Sequence, residues 1–83
     1  MKSLNKKIII IDNSKLSYDG NDLDGIKVRG TETSLILLAE QFVRMNFNVD
    51  FCNSITNLSE VNGVRYFNKN NIDKNFLYDL AIV

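Results

Sequence analysis

The 83-residue chain has no net charge, no histidine, no proline and a single cysteine. Its ten basic and ten acidic residues are scattered, so no basic face is offered to nucleic acid or to an anionic membrane surface. Cys52 cannot form an internal disulfide, and no histidine is present to activate its thiol. We therefore expect a core cysteine and a reducing, cytoplasmic setting.

Long hydrophobic runs are also lacking. Four isoleucines follow the lysines near the start, but Asp12 closes this run too early for a signal peptide. No stretch approaches the roughly 20 apolar residues that a membrane-spanning helix requires. The 45% of hydrophobic residues suffices for one small core, so a single domain is expected over residues 1–83. Residues 79–83 have the pattern of a buried strand with no turn after it, which predicts a truncated domain.

The chain is organised around the stretch from Arg29 to Asn46, which is predicted to be a loop that leads through Gly30 into a buried helix ending at Asn46. Apolar residues recur there at intervals of three and four, so they share one side of a helix. Thr31 is the expected N-cap, and Asn46 is expected to leave the helix in a left-handed conformation. Additional apolar residues widen the stripe, which predicts a helix covered on most sides. The residues left for water are Thr33, Glu40, Gln41 and Arg44.

Strands are predicted on both sides of this helix. Residues 7–12 are β-branched without alternation, which is typical of a strand buried on both faces of a parallel sheet. The order strand, helix, strand predicts an α/β, Rossmann-like three-layer fold with a mostly parallel sheet. The direction of the third strand is left open. Further strands are expected at 48–52, 64–67 and 79–83, a long exposed loop at 13–29, a connection at 53–62 and one helical turn within 68–78.

The helix N-terminus is the candidate binding site. The first amides of a helix have no partner within it, and the helix dipole favours an anion, so Gly30, Thr31 and Glu32 are candidates for contacting a phosphate. Arg29 would add a guanidinium that pairs with phosphate oxygens. Asp12 stands at the carboxyl end of the first strand, where α/β sheets place ligand-contacting groups. Each residue also has a structural interpretation: a glycine that turns the chain, a solvated arginine, an aspartate that caps its own loop.

Cofactor sites are not favoured by the spacing. A dinucleotide-binding fingerprint requires glycines directly after the first strand, and Asp12, Asn13 and Ser14 stand there instead. Three aspartates in the loop at 13–29, namely Asp19, Asp22 and Asp24, fit a loose cation site less well than a solubilising role. No metal site is expected.

Taken in order, these features resemble the opening of family 4 glycosyltransferases, which have the two-domain GT-B architecture. The strand KIIIID, a variable loop and the segment RGTETSLILLAEQFVRMNFNVDFCN follow one another as in that family. Gly30 falls on the second glycine of the family's Gly-Gly pair, while Arg29 replaces the first and Asn46 replaces an exit glycine. The other matches are Leu38-Ala39-Glu40, Arg44-Met45-Asn46, Val49-Asp50-Phe51, Asn62-Gly63-Val64 and Asp79-Leu80-Ala81-Ile82-Val83.

The resemblance implies a retaining transferase that moves a sugar from a nucleotide-sugar donor to an acceptor without a metal or other cofactor. This chain would be a fragment of the acceptor-side domain, inactive without the catalytic C-terminal half. Gly30, with Arg29, Thr31 and Glu32, would approach the donor diphosphate in the cleft between the domains. Two alternatives stay open: a non-catalytic α/β binding or regulatory module, and another nucleotide-using α/β enzyme such as a methyltransferase. The sugar, nucleotide base, acceptor and oligomeric state are not indicated.

Overall fold

The computed structural model describes residues 6–24, 30–72 and 78–83. These residues form an α/β fold with one α-helix and one five-stranded, mostly parallel sheet, as the sequence predicts at this coarse level. The strand order is β3-β4-β2-β1-β5, and only β3 runs antiparallel to its neighbour. The elements are β1 (Lys7–Ile11), α1 (Gly30–Arg44), β2 (Asn48–Asn53), β3 (Ser59–Val61), β4 (Val64–Asn68) and β5 (Leu80–Ile82), with short 3-10 turns at Gly20–Asp24 and Lys69–Asn71.

β1 lies between two parallel neighbours, as its run of isoleucines predicts. It pairs with β2 on one side and with β5 on the other. Ile8 and Ile10 pack on the face that carries α1, whereas Ile9 packs with Cys52 and Phe67 on the opposite face. Because both faces are covered, a β-branched strand without polar alternation is stable here.

Different parts of the chain cover the two faces of the sheet. α1, between β1 and β2, packs through Ile36 and Ala39 onto the face that contains Ile10. Ile72 and Tyr78 pack against the other face. β2 pairs with one side of β1 and β5 with the other, so the strand order reverses at β1.

The connection at 53–62 contains β3, a strand that the sequence did not predict. β3 pairs antiparallel with the outer edge of β4, and Asn62 and Gly63 form the two-residue turn between them. Both turn residues have positive φ, 52° and 83°, as an Asn-Gly hairpin turn requires. β3 brings the chain back along the sheet, so β4 runs parallel to β2 without a crossover helix. This settles the direction of the third predicted strand.

α1 packs against the sheet through one face, and the prediction of a helix covered on most sides is wrong for the described residues. Ile36 and Ala39 are fully buried, but 51% of Leu37 and 38% of Leu38 are exposed. One sheet surface buries only a sector of a helix, and no second helical layer is present in the described ranges.

Two smaller predictions for α1 also need correction. Glu40, expected to face water, is buried and accepts a hydrogen bond from Asn62 Nδ2 at 3.0 Å. Burial of a carboxylate without a hydrogen bond would cost free energy, so the bond from the Asn62 side chain makes the burial of Glu40 possible. Thr31 is the second residue of the helix rather than its N-cap, because α1 begins at Gly30.

The end of α1 agrees with the sequence. Asn46 has φ 70°, and its amide donates to the carbonyl oxygen of Val43 at 2.9 Å. The Phe47 amide donates to the carbonyl oxygen of Phe42 at 3.0 Å, and the two rings meet edge to face. These are the hydrogen bonds and the apolar contact of a Schellman motif. The left-handed exit predicted for Asn46 is confirmed.

The segment after β1 is less exposed than the sequence predicted. Tyr18 is 1% exposed, and its ring meets Phe51 edge-on with 5.6 Å between centroids. Gly20 is also buried, and a Cβ built there would lie 2.8 Å from Cγ1 of Val61. The loop therefore contributes to the core.

We expect Gly63→Ala to lower the free energy of unfolding by about 1 to 3 kcal/mol. The reasons are the φ of 83° and a Cβ that would lie 2.7 Å from Cγ1 of Val43. Gly30→Ala is the matched control, since a Cβ at Gly30 meets no other element of the described chain within 4 Å. Urea denaturation followed by circular dichroism measures both; equal stability of the two variants would contradict this account of the turn.

Candidate functional site

A crevice of about 420 Å³ opens where the strand order reverses. It is lined by the carboxyl ends of β1 and β5 and by the first turns of α1. Ligands of open α/β sheets bind at such a reversal, outside the carboxyl ends of the strands. Ile10, Leu35 and Ile82 contribute apolar walls. The polar groups come from Asp12, Asn13, Ser14 and Thr31. An apolar pocket with a few polar groups is the usual form of a small-molecule site.

The structure brings together two of the candidate residues, because Asp12 and Thr31 line the same crevice. Gly30 adjoins Thr31, is exposed, and has open space around the position of a Cβ. Glu32 is half-buried in the same helical turn. Arg29 lies outside the described residues. The described candidates thus lie along one side of the crevice and at the helix start beside it.

Asp12 follows β1 directly and is held by two hydrogen bonds. Its Oδ1 accepts from the amide of Ser14 at 2.9 Å, and its Oδ2 accepts from the hydroxyl of Tyr18 at 2.6 Å. Partial burial acts to raise the pKa of Asp12, but these bonds and the charge of Lys69 outweigh it, so the pKa is lowered. Burial and the bond to Asp12 raise the pKa of Tyr18. At neutral pH the carboxylate is charged and the hydroxyl is its donor.

Asn53, which was not among the predicted site residues, joins this loop to the sheet. It is the last residue of β2 and is fully buried. Its Nδ2 donates to the carbonyl oxygen of Tyr18 at 2.8 Å, and its Oδ1 accepts from the amide of Ile55 at 2.7 Å. Asn53 therefore holds Tyr18, and Tyr18 holds Asp12. The available signal was an amide side chain at the carboxyl end of a predicted strand.

Two further side chains fix the loop that follows Asp12. Lys69 Nζ donates to the carbonyl oxygens of Asn13 and Ser14 at 3.0 and 3.1 Å. Ser54 Oγ donates to the carbonyl oxygen of Ser14 at 3.0 Å. These bonds connect one rim of the crevice to the ends of β2 and β4. They join residues 40 or more positions apart, which no local pattern reveals.

Other candidate groups have structural roles. Cys52 is buried, as expected, and burial together with the charge of Asp50 raises the pKa of its thiol to about 12. The Asp19 amide donates to Asp22 Oδ2 at 2.9 Å, so this pair stabilises its own turn. In the part of the chain that the structure describes, no three His, Cys, Asp or Glu side chains are close enough to hold a metal ion.

A second cavity, of about 280 Å³, lies on the sheet face opposite α1. Arg65 donates from Nε and Nη2 to the Asp50 carboxylate at 3.0 and 2.9 Å, and the Tyr78 hydroxyl donates to Asp50 Oδ2 at 2.6 Å. These groups pair with one another. The cavity also lies away from the carboxyl ends of the strands, so the crevice is the better candidate.

Comparisons with known proteins add no relative. No protein-family model, curated protein or solved structure matches this chain. Across the described ranges, no helix has the length and apolar character needed to cross a membrane. The candidate site is thus defined by its geometry.

We expect Asn53→Ala to lower the free energy of unfolding by about 2 to 4 kcal/mol. The substitution removes the hydrogen-bond partner of the Tyr18 carbonyl and of the Ile55 amide. Asn57→Ala, at an exposed position, is the control. Chemical denaturation measures both variants. A loss no larger for Asn53→Ala than for Asn57→Ala would show that the buried amide does not hold the loop.

We expect Asp12 to contribute to the loss of folding stability at low pH. Because its pKa is lowered on folding, its ionisation favours the folded state above the ordinary aspartate pKa, and this contribution is lost as pH falls through the lowered value. Asp12→Asn should therefore lose less stability on acidification than the unaltered chain. Glu60→Gln, which removes an exposed carboxylate, is the control. Thermal melts across the acid range test this, and identical acid sensitivity with and without Asp12 would contradict it.

Proposed function

We propose that the chain is part of the acceptor-side domain of a retaining glycosyltransferase of GT-B architecture, with a Rossmann-like three-layer fold in the complete domain. The observation that carries the proposal is the crevice at the strand reversal, bounded by the N-terminal turns of α1. The order of motifs along the chain, from the strand KIIIID to the helix after Gly30, supports the same family.

In this proposal the start of α1 faces the donor diphosphate. The amides of Gly30, Thr31 and Glu32 belong to the helical turn whose N–H groups have no acceptor within the helix. The helix dipole adds a partial positive charge at this end, and Arg29 a full one. Negative charge grows on the diphosphate as the sugar leaves, so fixed donors aimed at it favour the transition state over the ground state.

The open surroundings of Gly30 fit this role. Apart from its chain neighbours and the helix's own backbone, a Cβ at this position would meet no atom of the described residues within 4 Å, so a side chain there would project into space that a ligand could occupy. Glycine at this point lets a phosphate approach the backbone closely. The same openness makes Gly30 a suitable position for a test, because a larger residue should not disturb the fold.

The test is calorimetric titration of the full-length protein, this chain together with the C-terminal half that the proposal assigns to it, with uridine diphosphate glucose, guanosine diphosphate mannose and S-adenosylmethionine. We expect one of the nucleotide sugars to bind. Binding of S-adenosylmethionine alone would support the methyltransferase alternative, and no binding of any of the three would support a non-catalytic module. Either result would contradict the proposal.

Gly30→Val should weaken nucleotide-sugar binding at least about tenfold, because its side chain would occupy the space the diphosphate requires. Gln41→Val is the matched control: it places the same β-branched residue at an exposed position of the same helix, about three turns from Gly30. Both variants should keep the unaltered melting temperature. Unchanged affinity in a folded Gly30→Val would remove Gly30 from the binding site.

A further inference from the structure

The Asp12 carboxylate has acceptor capacity to spare within the crevice. The amide of Ser14 uses one lone pair of Oδ1, the hydroxyl of Tyr18 uses one of Oδ2, and the hydroxyl of Ser14 also bonds to the carboxylate. An ionised carboxylate offers about four such positions. Asp12 is half-buried and lines the crevice, so its remaining acceptor capacity suits a ligand.

This acceptor is fixed in place before any ligand arrives. Tyr18 is anchored by its ring against Phe51 and by its carbonyl oxygen on Asn53 Nδ2. Both Tyr18 and Asn53 are buried. The packing around them therefore fixes the position of the Tyr18 hydroxyl that bonds to Asp12. A ligand that bonds to Asp12 would therefore not have to order it, which lowers the entropic cost of binding.

Asp12 is the one charged side chain among the described residues that line the crevice. The ammonium of Lys69 lies nearby, outside this lining, and is bonded to the carbonyl oxygens of Asn13 and Ser14. None of the described residues that line the crevice has a cationic side chain. A phosphate beside Asp12 would be repelled, whereas a neutral hydroxyl would donate a hydrogen bond to it.

The walls beside Asp12 favour the same kind of group. Leu35 and Ile82, which are only partly buried, present aliphatic surface to the crevice. A sugar ring combines hydroxyl donors at its edge with C–H surface on its faces, so it can satisfy Asp12 while it covers these side chains.

We propose that the part of the crevice next to Asp12 binds a neutral, hydroxyl-rich group such as a sugar ring, with Asp12 accepting a hydroxyl hydrogen bond and Tyr18 acting as a positioning residue. This inference rests on the proposed function for the role of the crevice, and it places the sugar beside Asp12 and the diphosphate beside Gly30.

The experiment titrates the 83-residue chain with two probes, D-glucose and inorganic pyrophosphate, followed by amide chemical shifts. Glucose should bind in the millimolar range, and Asp12→Asn should weaken it about tenfold, because a hydrogen bond to a charged acceptor is replaced by one to a neutral amide. The same substitution should leave pyrophosphate binding unchanged or strengthen it. Glu60→Gln, which removes a charge at an exposed position outside the crevice, should affect neither probe.

A second measurement tests the positioning role of Tyr18 and does not depend on Asp12→Asn folding. In the unaltered chain, glucose binding should be lost only as pH falls through the lowered pKa of Asp12. Tyr18→Phe removes a hydrogen bond that lowers this pKa, so the loss should begin at a higher pH. A purely structural role for Tyr18 would leave unchanged the pH at which half of the glucose binding is lost.

The outcomes separate this inference from the proposed function. If the protein binds a nucleotide sugar but not glucose, the inference alone is overturned. The same holds if it binds glucose with an affinity that neither Asp12→Asn nor low pH changes. Glucose binding that depends on Asp12, in a full-length protein that binds no nucleotide sugar, would uphold the inference and overturn the transferase. Stronger loss of pyrophosphate than of glucose in Asp12→Asn would also overturn the inference.

Discussion

The parallel pairing of β1 with a neighbour on each side is the constraint on which the rest of the structure depends. Its isoleucines pack into the hydrophobic clusters on both faces of the sheet. β2 pairs with one side of β1 and β5 with the other, and the crevice lies at this reversal of strand order. The hydrophobic burial that stabilises the fold thus also determines where a ligand can bind.

Tyr18 connects this packing to the chemistry of the crevice. Its ring lies in the core beside Phe51, while its hydroxyl reaches the carboxylate of Asp12. Asn53 holds its carbonyl oxygen from the end of β2. A change in the core at these positions would therefore alter the orientation of Asp12 as well as stability. Thr31 and Leu35 of α1 line the same crevice as Asp12, which allows one ligand to contact both a carboxylate and the first turns of the helix.

Local patterns were sufficient to predict part of this arrangement. The isoleucine run predicted β1, helical periodicity predicted α1, and the left-handed preference of asparagine predicted the exit at Asn46. The position of Asp12 after a strand also identified it as a candidate. β3 could not be predicted, because three residues with one apolar side chain give no strand signal. The bond between Asn53 and Tyr18 spans 35 positions, and only the tertiary fold brings these residues together. The helical pattern likewise did not show which sector of its wide apolar stripe faces the sheet.

The central claim is that the crevice at the carboxyl ends of β1 and β5 is the ligand site. It is tested most directly by intermolecular nuclear Overhauser effects between uridine diphosphate glucose and the methyl groups of the isotopically labelled full-length protein. The account predicts contacts from the ligand to methyl groups of Leu35 and Ile82, which line the crevice. Contacts confined to exposed methyl groups elsewhere, such as those of Leu37 or Leu58, would contradict it.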